Sequence, residues 1–135
     1  MSPNNLTKVR VIYADTDAMG IVYHTNYIKW FEIGRSEILR DLGIPYAQIE
    51  RLGYSWPVTE LSCRYLSPAR YDELVVVETS ILEVKRASIK FTYLIWDERQ
   101  AKVLVEGDSV HACINKEGKI ARIPPEVREK INPPR

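Results

Sequence analysis

Two carboxylates and an imidazole fall within the run Tyr13-Ala14-Asp15-Thr16-Asp17-Ala18-Met19-Gly20-Ile21-Val22-Tyr23-His24-Thr25-Asn26-Tyr27, a turn-forming segment just ahead of the longest apolar helical run in the chain. A helix N-terminus offers backbone N–H groups without intrahelical partners, and these favour negative charge. A carboxylate close by can act as nucleophile or general base. Together these parts suit attack on an acyl carbonyl, whose oxygen becomes negative as the attack proceeds. Asp17 is one candidate carboxylate. Asp15 competes with it and reads as a solvated acid or as one supporting the site from behind. An aspartate in such a loop also commonly bonds its own backbone to hold a turn.

These groups must be positioned by the elements around them. Lys8 to Tyr13 reads as a short strand in which Val9, Val11 and Tyr13 alternate with Lys8, Arg10 and Ile12. From Asn26 the period becomes helical, with Tyr27, Ile28, Trp30, Phe31, Ile33, Ile38, Leu39 and Leu42 at three- and four-residue spacing. Thr25 or Asn26 can cap its start, while Gly43 followed by Pro45 marks its end. The first half of this helix is apolar over more than one stripe, which predicts a helix wrapped by a sheet. Gly34 in its interior costs about 1 kcal/mol against alanine, and close approach of another backbone is the expected compensation.

A short helix is predicted over Tyr46 to Leu52. The period then switches to two, with strands predicted over Val58–Leu66, Glu73–Val84, Ala87–Trp96 and Lys102–Ile114. Asp97-Glu98-Arg99-Gln100 is short enough to close the last two as an antiparallel hairpin. Pro124-Pro125 opens a terminal helix through Ile131, and Asn132 to Arg135 should be loose. One strand, one long helix and four antiparallel strands make an α+β fold in which a sheet curls about a helix. Such a sheet has open edges, and edge pairing between two copies is the expected way to cover them.

Bulk properties narrow the function classes. The 135 residues, 45% of them hydrophobic and only 6 of them glycine, suit one domain with its own core. Net charge is +1 from 19 basic and 18 acidic side chains, which gives no reason to expect a nucleic-acid or membrane partner. No apolar run approaches a membrane span and the polar start, Met1 to Asn5, has no signal-peptide core, so a cytoplasmic protein is expected. Cys63 and Cys113 read as structural reduced thiols. Two histidines and two cysteines without ligand spacing give no metal site. His111, on the last strand, reads as structural.

The segment Thr16-Asp17-Ala18-Met19-Gly20-Ile21-Val22-Tyr23-His24 followed by Asn26-Tyr27 resembles the signature of the hotdog-fold acyl-CoA thioesterases, in particular the 4-hydroxybenzoyl-CoA thioesterase group and its YbgC-like branch. Pro57-Val58 and Cys63-Arg64-Tyr65-Leu66-Ser67-Pro68-Ala69-Arg70-Tyr71-Asp72 are similar to a second segment of that group, and the likeness runs from about Lys8 to Asn115. The resemblance implies a hotdog fold, five antiparallel strands curved around one long helix. It also implies a homotetramer of hotdog dimers with the active site at a dimer interface, and no metal or organic cofactor.

By position, the resemblance makes Asp17 the catalytic carboxylate, puts the His24 N–H at the carbonyl oxygen, and gives Tyr13 an active-site place. Where the 4-hydroxybenzoyl-specific enzymes have an aromatic residue this chain has His24, which argues against that one substrate. Lys85, Arg86, Ser88 and Lys90 cluster near the start of the third of the four later strands, and similar basic residues in the family meet CoA phosphates. The same four also read as a solvated strand end. Hydrolysis of an acyl-CoA to a free acid and CoA is the leading expectation. Action on acyl carrier protein thioesters, or a non-catalytic acyl-CoA-binding scaffold, are the alternatives.

Overall fold

The computed structural model describes residues 4–132; Met1–Pro3 and most of the tail expected to be loose, Pro133–Arg135, lie outside it. Five strands, β1 (Asn4–Arg10), β2 (Val58–Tyr65), β3 (Leu74–Val84), β4 (Ser88–Asp97) and β5 (Val103–Ala112), form one antiparallel sheet in the order β1-β3-β4-β5-β2. The long helix α1 (Asn26–Asp41) lies in its concave face, with α2 (Tyr46–Arg51) at its C-terminal end and α3 (Pro125–Ile131) closing the chain.

Alternation builds the interface between helix and sheet. On β4, Ile89, Phe91, Tyr93 and Ile95 all point inward and are buried. From α1, Tyr27, Trp30, Phe31, Ile38 and Leu39 join them in one buried cluster. Each such side chain removed from water contributes about 1.5–3 kcal/mol. Phe31 lies flat on Tyr93, with centroids 4.2 Å apart and planes 7° off parallel. Gly107 of β5 makes the room: a Cβ there would stand 2.8 Å from the Phe31 ring and 2.4 Å from the Ser62 carbonyl oxygen.

Gly34 has a related role, although what fills its space is a side chain rather than the expected backbone. A Cβ on Gly34 would sit 2.1 Å from Thr79 Oγ1 and 3.0 Å from Val77 Cγ1, both on β3. The first strand also differs from expectation. It begins at Asn4 and ends at Arg10, and inward alternation holds through Val11 but stops before Tyr13, which opens a 3₁₀ turn (Tyr13–Asp15). The cause is Asp15, whose carboxylate accepts the Ile12 N–H (2.9 Å) and curls the chain off the sheet.

The register gives the sheet two distinct ends. Arg10, Leu74, Asp97, Val105 and Tyr65 lie toward one, and Val84, Ile89, His111 and Val58 toward the other. α1 starts near the first end and, at 16 residues, runs about 24 Å toward the second. β2 is an edge strand, with every residue exposed except half-buried Cys63. Both cysteines are free, and Cys113 is buried.

Candidate active site

The segment between β1 and α1 doubles back on itself. Asp17 N–H donates to the Ile21 carbonyl (2.9 Å) and Gly20 N–H to the Asp17 carbonyl (3.0 Å), with Gly20 at φ +79°. A side chain at Gly20 would be strained in that conformation. Val22 N–H donates to the Ala69 carbonyl (2.9 Å) and Tyr27 Oη accepts the Ala69 N–H (3.0 Å), so the loop is stitched to the β2–β3 connection.

Asp17 is half-buried. Its Oδ1 accepts the Met19 N–H at 2.8 Å, so it does hold a turn, while Oδ2 takes no hydrogen bond among the described residues. One oxygen therefore fixes the rotamer and the other remains open for chemistry. Its charge is felt by Tyr27, whose hydroxyl is raised above its ordinary pKa chiefly by burial, with smaller contributions from Cys63, Glu73 and Asp17.

Asp15 is not solvated. It is 4% exposed, bonded to the Ile12 N–H and 3.4 Å from Lys29 Nζ, and its carbonyl accepts from Tyr23 N–H (2.9 Å) and Asn26 Nδ2 (2.8 Å). It ties the loop to the first turn of α1. Asn26 is thus spent on Asp15, and Thr25, in the cap position, makes no side-chain cap. The backbone N–H groups of His24 and Thr25 have no acceptor among the described residues. These are unpartnered donors at the opening of a helix, suited to a developing oxyanion.

The His24 ring is exposed and stands between Tyr23 (centroids 4.4 Å apart) and Tyr65 (6.2 Å, edge-on). Tyr65, which the residue pattern did not single out, donates its hydroxyl to the His24 carbonyl at 2.9 Å. Its pKa is pushed up to about 12 by desolvation first and then by the Cys63 thiol, so it remains a donor. It comes from β2, and only the sheet register brings it to the helix start. Tyr13 is 78% exposed and meets Tyr71 edge-on at 5.7 Å, at the rim of the loop.

Asp17, His24 and Tyr13 thus belong to one end of the protomer. Lys85, Arg86, Ser88 and Lys90 do not join them, because the β3–β4 hairpin that carries them is at the opposite end of the sheet. There Lys85 and Arg86 line a cavity of about 400 Å³ together with Arg122 and Arg128. Arg128 donates to the carbonyls of Lys85 and Arg86 and holds the hairpin. Neither Arg122 nor Arg128 had a signal in the sequence, since both follow the last strand.

The family model for the thioesterase-like superfamily matches residues 11–131. This chain belongs to that superfamily. The thioesterase is 37% identical over 108 residues to the acyl-CoA thioesterase YbgC of Haemophilus influenzae, covering 79% of this chain and 78% of that one. Its structure superposes on a hypothetical protein of Aquifex aeolicus with a TM-score of 0.89 at 32% identity, over 95% and 99% of the two chains. With the DHNA-CoA thioesterase of Staphylococcus aureus the TM-score is 0.84 at 31% identity, over 96% and 84%. The sheet wrapped on a central helix is therefore the hotdog fold, and the chain is a thioester hydrolase of the YbgC-like branch. Among the described residues no group of three or more His, Cys, Asp or Glu is placed to hold a metal ion, and no helix is long and apolar enough to cross a membrane.

Proposed function

We propose that this thioesterase hydrolyses an acyl-CoA to a free carboxylic acid and CoA, with Asp17 as the catalytic carboxylate and the His24 N–H as oxyanion donor. The observation that carries this reading is the division of labour within Asp17: Oδ1 is anchored on Met19 N–H while Oδ2 is unbonded. The acyl-CoA substrate is taken from the relatives named above.

A thioester carbonyl is strongly electrophilic and a thiolate leaves easily, so one carboxylate suffices without a serine relay. As nucleophile, Oδ2 bonds to the carbonyl carbon, the C–S bond breaks and CoA departs as thiolate; water then cleaves the mixed anhydride and frees Asp17. As base, Asp17 takes a proton from water, whose oxygen attacks the same carbon. Both routes place negative charge on the oxygen facing His24 N–H.

The CoA role of Lys85, Arg86, Ser88 and Lys90 requires a second copy of the chain. Full antiparallel pairing of the eight-residue edge strand β2 with itself sets Val58 of one copy across from Tyr65 of the other. The basic end of one protomer then lies toward the catalytic loop of its neighbour, closing the distance that separates them in one chain. Exposed Tyr13, Met19, Leu61 and Leu66 supply apolar surface for such a contact. A dimer through β2 is therefore part of the proposal, and a tetramer of such dimers extends it. The basic rim also suits an acidic carrier protein, and rates on matched CoA and carrier thioesters rank the two.

The test is Asp17→Asn. Turnover of acyl-CoA, followed with a thiol-capture dye, should fall by about 10³-fold while the fold and acyl-CoA binding persist. Full turnover in that variant would remove Asp17 from the mechanism. ¹⁸O from labelled water entering Asp17 under single turnover would identify it as nucleophile.

A further inference from the structure

At the end of α1 remote from its own catalytic loop, a cavity of about 310 Å³ opens between α1, α2 and the sheet. Leu39, Tyr46, Trp56, Val58 and Phe91 supply its apolar wall, and Glu32, Ser36 and His111 add polar groups. One cation lines it. Arg35 is 18% exposed in its side chain, and its five N–H donors find little: Tyr93 Oη at 3.5 Å and Glu32 Oε1 at 3.8 Å, the latter on a side chain 72% exposed.

A chain of hydrogen bonds fixes how Arg35 is presented. His111 Nδ1 is 3.0 Å from the Trp56 carbonyl, which can only accept, so Nδ1 carries the proton. Nε2 of the neutral ring must then accept from Ser109 Oγ (2.8 Å), and Ser109 in turn accepts from Tyr93 Oη (2.6 Å). The remaining lone pair of Tyr93 is left for the guanidinium. Every proton in the series is assigned, and the series ends on a cation at the cavity wall. The facing titratable groups are Glu32 on α1, Tyr46 on α2, which accepts the Trp56 N–H, and His111 on β5. Tyr46 and His111 contribute no negative charge, and Glu32 reaches solvent.

We propose that this cavity receives the far end of the acyl group, and that Arg35 is a specificity-determining residue which binds a carboxylate there. The preferred substrates are then CoA thioesters of short dicarboxylic acids. A planar guanidinium with unused parallel donors matches a carboxylate in two-point geometry, and its partial burial strengthens the pair. The volume is at the small end for ligand pockets, which limits the acyl group to a short chain. This rests on the reading given under Proposed function, because the β2 pairing that sets Val58 across from Tyr65 is what brings the cavity of one copy to the catalytic loop of the other.

Adipyl-CoA and hexanoyl-CoA provide the test, since they differ only in a terminal carboxylate against a terminal methyl. The wild-type protein should favour adipyl-CoA in kcat/KM by at least about 10-fold, and Arg35→Met should abolish or reverse that ratio. Arg40→Gln, on an exposed turn of the same helix, should leave the ratio as it is. A wild-type ratio at or below one, or a ratio unmoved by Arg35→Met, overturns the proposal while leaving the hydrolase reading intact. Should Arg35→Met not fold, Arg35→Lys and inhibition of the wild type decide: free adipate should compete with substrate and hexanoate should not, and equal inhibition overturns the proposal. If neither thioester is cleaved, turnover yields no ratio, and the hydrolase reading is judged separately on other acyl-CoAs. Calorimetry of adipate on the wild type and Arg35→Lys then settles the cavity, with tight, Arg35-dependent binding in support and no binding against.

Discussion

The two ends of the long helix are built on opposite rules. At its start, backbone donors of His24 and Thr25 are unpaired, one oxygen of Asp17 is unbonded, and Tyr13 and Met19 are more than three-quarters exposed. In its middle and second half, Phe31 stacks on Tyr93, Gly34 lies against Thr79, and the polar groups from Tyr93 to Trp56 are joined in sequence. Unused hydrogen-bonding capacity is costly unless something else employs it. The open groups at the start are those proposed to meet substrate and a second copy, while the close-packed half, although Thr79 Oγ1 and Trp56 Nε1 have no partner there, supplies the rigidity that aims them.

The sharpest way to break this contrast is to disturb the rigid half. Gly34→Ala gains about 1 kcal/mol of helix propensity but sets a methyl group 2.1 Å from Thr79 Oγ1, so helix or strand must move. Overpacking of this kind costs about 1–3 kcal/mol, and the severity of the clash points to the upper part of that range. Urea unfolding should show a net loss of about 2 kcal/mol. The double change Gly34→Ala with Thr79→Ala should recover most of it, because it removes the nearest atom and a buried hydroxyl that has no partner. Equal instability in the double variant would mean that Val77, and not Thr79, sets the spacing.

Sequence and structure agree where the pattern is periodic. Ile89, Phe91, Tyr93 and Ile95 alternate plainly, and β4 lies within one residue of its expected place at each end. α1 starts at Asn26 as expected and ends at Asp41, with Gly43 at φ +83° just beyond. Agreement fails where a single side chain overrides the period. Tyr13 continues an apolar alternation, yet the Asp15 carboxylate bends the chain and turns Tyr13 outward. The loop proposed to carry the catalysis was legible as a unit because its residues are contiguous. Tyr65 and the series from Arg35 to Trp56 were not, since they are assembled by pairings between β2, β4 and β5 that no local pattern encodes.

A second test asks how the buried histidine of the packed half responds to acid. Burial, with a further contribution from Arg35, lowers the pKa of His111, although its bond to the Trp56 carbonyl works the other way. In the unfolded chain the same imidazole takes a proton near pH 6.5. Below that pH the unfolded state binds more protons than the native state, so stability conferred by neutral His111 is fully present above about pH 6.5 and is lost as pH falls toward the lower native value. The urea midpoint of the wild type should therefore drop between pH 7.5 and pH 5.5. His111→Gln should start from a lower midpoint and show a shallower drop. Parallel slopes would mean that the buried series tolerates a charged ring.

The smallest effect is expected at the open end, from Tyr65→Phe. Its hydroxyl is exposed on one side and donates one hydrogen bond, to the His24 carbonyl. A net hydrogen bond is worth about 1 kcal/mol, and here it holds the His24–Thr25 peptide, next to the Tyr23–His24 peptide that carries the proposed oxyanion donor. If that bond orients the His24 N–H, its loss should lower kcat by about 5-fold with little change in KM or in the urea midpoint. A fall in stability with kcat unchanged would instead place Tyr65 with the rigid half and would erase the distinction between the two ends at this position. Because β2 is the strand through which a second copy is proposed to pair, the same variant should be examined at protein concentrations that span dissociation. A loss of kcat that appears only on dilution would trace the effect to assembly rather than to the orientation of one amide.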